Sequence, residues 1–302
     1  MDALASDHPV ASADPLVYLR VSGKAELLPL SEARVPVLDR GFIFGDGIYE
    51  VVPVYGLRPF RIDQHLARLS RSLSAISIEN PFSVDEWKAR IAEIVAAFAK
   101  SCGVEDQFVY MQVTRGVAKR GHAFPKGIMP TVFMMTSPLV LPAAEVRENG
   151  AAAVTAIDNR WLRCDIKSIS LLGNVLMAEH AAVNGAAETI LFRDGFLTEA
   201  SSSNAWVVKD DVLYAPPKNN RILEGIRYGL ISELAEAHGV RFVIAPVAEE
   251  AVRDADELML SSATKEVIPI VKLDGKPVGD GAVGPMYRRF YAWYQEAKAA
   301  AG

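Results

Sequence analysis

The chain is poor in cysteine, in runs of one charge and in long apolar stretches, and each shortage excludes something. Only Cys102 and Cys164 occur among 302 residues, far apart and in no CxxC pair. Neither a disulfide framework nor a thiol redox motif is expected, and a reducing, cytoplasmic compartment is. Both cysteines read as small buried apolar residues. No Lys/Arg-rich run or aromatic-interleaved basic patch appears, and the net charge is -5. A phosphate backbone would meet a mildly repulsive surface, so no nucleic-acid partner is expected. No apolar run approaches the roughly 20 residues that cross a bilayer, so no membrane partner is expected either. Residues 1–14 lack a basic stretch followed by an apolar core and read as a flexible leader, not a signal peptide.

What is present is a globular composition, 50% hydrophobic and 23% charged, in a chain long enough for two cores. Val17 to Val21, Val51 to Tyr55 and Val109 to Val113 read as strands. Gln64 to Ile76 puts Leu66, Leu69, Leu73 and Ile76 on one helical face. Ser83 and Glu86 form a capping box ahead of the stripe Trp87, Ile91, Ile94, Val95 and Phe98. Ser137 to Pro142, Ser-Pro-Leu-Val-Leu-Pro, breaks both periods and reads as a linker. Beyond it, Glu188 to Phe192 pairs with Phe196-Leu197 about Asp194-Gly195, and Ala205 to Val208 pairs with Val212 to Tyr214 about Asp210-Asp211. Helices are expected over Leu171 to Val183, Ile226 to His238 and Tyr287 to Lys298. The expected class is α+β, with a small N-terminal domain over 15–138 and a larger strand-rich C-terminal domain over 139–302.

Lys167 stands where an apolar, strand-like run meets the start of a helix containing Ser and Asn. An ammonium carried into an apolar pocket loses hydration and becomes a neutral amine able to form a Schiff base with a carbonyl compound. Taken alone, Lys167 also fits a lysine that lays its stem along Trp161 or Leu162 and keeps its head in water. Thr198 to Asn204, Thr-Glu-Ala-Ser-Ser-Ser-Asn, sets a carboxylate among hydroxyls in a loop-like stretch; by itself it fits an exposed turn as well.

Five segments in order carry a resemblance: Asp39 to Glu50 (Asp-Arg-Gly-Phe-Ile-Phe-Gly-Asp-Gly-Ile-Tyr-Glu), His65 to Leu69, Gln112 to Gly116, Arg160 to Ser168, and Thr198 to Asn204. Together they resemble the class IV, fold-type IV, pyridoxal-phosphate aminotransferases, and within them the D-amino-acid branch. The resemblance implies a two-domain fold-type IV enzyme, pyridoxal 5'-phosphate as cofactor, no metal, and a homodimer. It implies Lys167 as the cofactor lysine and general base, Glu199 as partner of the pyridine nitrogen, Arg68 as a phosphate clamp, Leu223 against the ring face, and the amides of Ile226 and Arg227 at the phosphate, with Ser202 and Ala263 also lining the cofactor. It further implies that Tyr49, Arg120 and His122 hold the substrate carboxylate, the Arg-x-His pair reaching across the dimer. Without the resemblance, Lys119 to His122 reads as a basic surface loop.

Two positions depart from the family pattern. Gly225-Ile226-Arg227-Tyr228 stands where Gly-Ile-Thr-Arg is frequent, and Ala263 occupies a place that often carries threonine, so two hydroxyl contacts to phosphate are lost while the backbone amides remain. The implied activity moves an amino group from a D-alanine-type donor to 2-oxoglutarate, giving pyruvate and D-glutamate. The alternatives are an amine or branched-chain transaminase, an aminodeoxychorismate lyase, or a non-catalytic dimeric binding protein.

Overall fold

The computed structural model describes residues 14–300. The leader expected over 1–14 therefore lies, Asp14 apart, outside the described residues. The chain divides between Leu139 and Val140 into two compact units.

The first unit runs β1 (Leu16–Val21), β2 (Lys24–Pro29), α1 (Arg40–Phe44), β3 (Gly47–Tyr55), β4 (Arg58–Pro59), α2 (Ile62–Ala75), α3 (Val84–Cys102), β5 (Gln107–Thr114) and β6 (Thr131–Pro138). Its strands form one antiparallel sheet in the order β2-β1-β6-β5-β3-β4. Val17, Ile48, Val109, Met111 and Val132 from this sheet are buried, as are Leu66, Leu69 and Leu73 of α2 and the Trp87–Phe98 stripe of α3. Ser83 and Glu86 make both halves of the capping box that starts α3. Two features escape the periodicity. Helix α1 is one glycine-containing turn, capped by the Asp39 side chain and ended by Gly45 in the left-handed conformation. The segment joining β5 to β6, residues 115–130, has no helix or extended strand.

The second unit runs α4 (Ala144–Asn149), β7 (Ala151–Ile157), α5 (Leu172–Val183), β8 (Glu188–Arg193), β9 (Phe196–Ala200), β10 (Asn204–Lys209), β11 (Val212–Ala215), α6 (Ile226–Ala237), β12 (Phe242–Ile244), α7 (Glu249–Arg253), β13 (Glu257–Ser262), β14 (Glu266–Leu273), β15 (Lys276–Pro277) and α8 (Pro285–Ala300). Its nine-stranded mixed sheet follows the order β12-β11-β10-β13-β14-β7-β8-β9, with β15 against β14. Both expected hairpins form, and their turns explain their residues: Asp194 and Gly195 have φ of 54° and 78°, and Asp210 and Asp211 have 50° and 57°. Two successive positive φ values match the turn to strand twist. The core gathers Ile190, Phe192, Val207, Leu258, Leu260, Ile268 and Ile270. Cys102 and Cys164 are both free thiols. Among the described residues, no helix is long and apolar enough to cross a membrane.

Candidate active site

In the second unit, strand β9 carries Glu199 into the interior, where 6% of it is exposed. The stretch Thr198 to Asn204 is therefore not the open loop its composition suggests: it is the end of β9, a tight turn and the start of β10. The hydroxyls that looked solvated are satisfied internally. Arg160 Nη1 donates to Glu199 Oε1 at 2.5 Å, and the Leu223 amide donates to Oε2 at 2.9 Å. Burial pushes the Glu199 carboxyl above its ordinary range, and the Arg160 charge and hydrogen bonds offset only part of that. Arg160 is itself gripped through two nitrogens by Asp158, at 2.9 Å each, and Thr198 Oγ1 donates to the same carboxylate. Burial alone would raise Asp158, but the Arg160 bonds and charge outweigh it and hold it below the usual carboxylate range. Arg193 adds a second cation, 3.0 Å from Asp158. The sequence alone does not reveal the relay Asp158–Arg160–Glu199, although Arg160 begins one of the segments that carry the resemblance. Its partner 39 residues on leaves no local signal.

Lys167 lies in irregular chain between β7 and α5, flanked by the buried Ile166 and Ser168. It is not at a strand end, as the apolar run suggested. Arg163 and Asp165 pair with each other at 3.0 Å, and Ser168 Oγ accepts from the Ser170 amide, so local side-chain bonds displace both periods. The segment is pinned by Cys164 N donating to Asn220 O and Asn220 Nδ2 donating to Leu162 O, both at 2.9 Å.

Asn204 ties the neighbouring elements together. Its Nδ2 donates to Leu223 O at 2.8 Å, and a Cβ on Gly225 would collide with its Oδ1, so glycine is required where this turn enters α6. Ile226 and Arg227 then open the helix, where first-turn amides favour an anion. Arg227 is buried, and its Nη2 reaches the carbonyl of Ala263 at 3.4 Å, linking the head of α6 to the turn between β13 and β14. The hydroxyls of Ser201, Ser202 and Ser203 all donate to Glu188, which also takes Lys265 Nζ at 2.6 Å. The Ser202 hydroxyl is thus committed to this carboxylate.

In the first unit, β3 alternates: Glu50 is buried against α2, while half-buried Tyr49 faces the other way and stacks on Tyr110 at 5.9 Å. Arg68 holds Glu50 through Nε at 2.9 Å and Nη2 at 2.5 Å, and His65 Nδ1 lies 2.9 Å from the same carboxylate. Burial opposes the charge on Glu50, yet Arg68 and His65 drive its carboxyl far below the usual range. A depressed value means the pair stabilises the fold above the unfolded carboxylate pKa of about 4.3 and is lost as pH falls. Glu50→Gln is expected to cost about 3 kcal/mol or more at neutral pH, since it leaves a buried cation behind. An unchanged urea midpoint for that variant would contradict this.

Arg120 and His122 are exposed on the 115–130 segment. The Arg120 guanidinium rests 5.3 Å from the Phe44 ring centroid, and the His122 ring lies 5.5 Å from the same ring. Arg40 donates from Nη1 to Gly121 O at 2.5 Å and from Nη2 to His122 O at 3.3 Å. Among the described residues, no group of three or more acidic, His or Cys side chains is arranged to hold a metal.

A family model described as amino-transferase class IV matches residues 47–273. The D-alanine aminotransferase of Bacillus licheniformis is 41% identical over 268 residues, covering 89% of this chain and 93% of that protein. That of Staphylococcus aureus (strain MSSA476) is 41% identical over 272 residues, covering 90% and 95%. Among solved structures, the Escherichia coli branched-chain amino acid aminotransferase superposes with a TM-score of 0.84 at 24% identity over 94% of each chain, a likeness of fold. A second branched-chain amino acid aminotransferase, from T.th. and solved with N-(5'-phosphopyridoxyl)-L-glutamate, gives 0.83 at 23% identity over 96% of each. A family match through both units, with relatives of this identity along nearly the whole chain, makes the protein a member of the class IV aminotransferases.

Proposed function

We propose that this aminotransferase moves the amino group of D-alanine, or a similar D-amino acid, to 2-oxoglutarate, with pyruvate and D-glutamate as products. The observation that carries the reading is 41% identity to D-alanine aminotransferases over about nine-tenths of the chain. The Arg120-Gly121-His122 turn supports it, since a guanidinium and an imidazole both donate to a carboxylate.

The second unit fits pyridoxal phosphate, the cofactor of the class. A buried carboxylate whose proton affinity burial has raised suits a cationic ring nitrogen, and a helix head entered through a close-packed glycine suits a phosphate. When bound, the cofactor supplies an electron sink for the electrons of the substrate α-carbon. Lys167 anchors it and then holds and moves the proton at that α-carbon. Glu199, stiffened by Arg160 and Asp158, keeps the ring nitrogen protonated. Arg68 and the amides of Ile226, Arg227 and Ala263 would hold the phosphate, and Leu223 and Ser202 would line the rest of the cofactor. Tyr49, Arg120 and His122 fix the substrate carboxylate, and its placement decides which α-hydrogen faces Lys167.

The protein acts as a homodimer in a cytoplasmic setting. Leu172, Val175, Leu176 and Val183 line one side of α5 and are 56–72% exposed in the single chain, an apolar face that a second copy covers. Arg120→Ala is expected to raise KM for D-alanine by about 10- to 100-fold, the worth of one charge-assisted contact, with little change in the absorbance of the bound cofactor. His122→Ala acts in the same direction and more weakly. Mixing Lys167→Ala with Arg120→Ala chains restores activity if the pair serves the partner's site, because one centre then regains both residues. No recovery despite proven subunit exchange would place the carboxylate trap in the same chain or remove it from the mechanism.

A further inference from the structure

The Asp39–Asp46 segment and Arg115 take no direct part in the amino transfer. Their side chains converge. Asp46 accepts from Arg40 Nε at 2.7 Å and from Arg115 Nε and Nη2 at 2.8 and 2.9 Å. Burial would raise the Asp46 carboxyl, but the two arginines outweigh it and hold it ionised. Arg115 also donates to the carbonyls of Ser77 and Ile76, and its guanidinium lies 3.5 Å from the Phe124 ring centroid. Arg40, 3% exposed, spends its remaining nitrogens on the adjacent carbonyls of Gly121 and His122. Phe44, from the same helical turn, takes the Arg40 and Arg120 guanidinia on its ring at 4.8 and 5.3 Å. At the backbone, Arg40 N donates to Gly116 O and Ala118 N to Leu38 O, and a Cβ on Gly116 would collide with Met129 O.

From this convergence we infer that Arg40, clamped by Asp46, which Arg115 grips in turn, is a positioning residue that fixes the Arg120–His122 turn and thereby sets the grip on the substrate carboxylate. The inference rests on the proposed role of Arg120 and His122. The physical need is plain. Residues 119–124 are exposed and without regular structure, and such a segment samples many conformations unless its carbonyls are tied down. Only a planar fork reaches a carboxylate and two successive carbonyls at once; an ammonium on a flexible stem does not.

The test is Arg40→Lys in the cofactor-loaded enzyme, which keeps a cation for Asp46 and loses the fork. Hydrogen exchange of amides 117–124 should speed by about tenfold while β3 and β5 stay protected, and KM for D-alanine should rise about tenfold with kcat nearly kept, the scale of one lost charged hydrogen bond. In an Arg120→Ala background the added effect of Arg40→Lys on KM should vanish, because the residue acts through Arg120. Unchanged exchange, unchanged KM, or additive effects in the double variant would each overturn the inference. Should Arg40→Lys fail to fold, Phe124→Ala, at an exposed position, loosens the same brace from its other end and must give the same pattern. If Arg120→Ala alone leaves KM unchanged, it is the reading of the carboxylate trap that fails. If Arg120→Ala raises KM and Arg40→Lys is silent, the brace alone fails.

Discussion

Lys167→Ala is expected to lower turnover by more than the roughly 10²- to 10⁴-fold that losing a general base costs, because the same substitution removes the amine proposed to anchor the cofactor. The competing lysine is Lys265, beside the β13–β14 turn. Its ammonium is held 2.6 Å from the buried Glu188, where it neutralises a carboxylate that also gathers three serine hydroxyls. Lys167 belongs to a stretch pinned at Cys164 and Asn220, which fixes its place in the chain. Borohydride reduction of the cofactor-loaded protein followed by peptide mapping should label Lys167. A label on Lys265 would overturn the assignment.

Glu199→Gln retains the cofactor and loses about 10²- to 10³-fold in turnover, the usual scale for removing a preorganised charge from a reacting centre. The fold survives because Arg160 keeps both of its bonds to Asp158, and a glutamine oxygen still accepts from the Leu223 amide. What goes is the negative charge proposed to keep the ring nitrogen protonated. The bound cofactor's absorbance should then change its pH dependence while its dissociation constant moves little. Near-normal turnover would transfer the role to another carboxylate.

Local chemistry in the sequence carries much of this protein. The capping box at Ser83, the α2 and α3 stripes and the two Asp/Gly hairpins follow from residues within a few positions of each other. Strand β7, Ala-Ala-Ala-Val-Thr-Ala-Ile, does not: alanine is no strand former, and the segment is extended because parallel neighbours β8 and β14 pair with it. Pro269 sits inside β14, which argues against a strand, yet the β7 pairing begins only at Ile270, so its missing N–H falls outside that pairing. The candidate site divides in the same way. Lys167, Glu199 and Arg68 are reached through motif order, while Arg160 beneath Glu199, Glu188 beneath the serines and Arg40 beneath the Arg120 turn depend on contacts 13 to 82 residues apart. Periodicity has no access to such pairs.

Handedness is the point on which the whole account turns. Purified enzyme supplied with pyridoxal phosphate, D-alanine and 2-oxoglutarate should yield pyruvate and glutamate one for one, and chiral chromatography should find that glutamate to be the D form, with L-alanine and L-leucine giving little product under the same conditions. L-glutamate as product, or L-leucine outrunning D-alanine as donor, would contradict it.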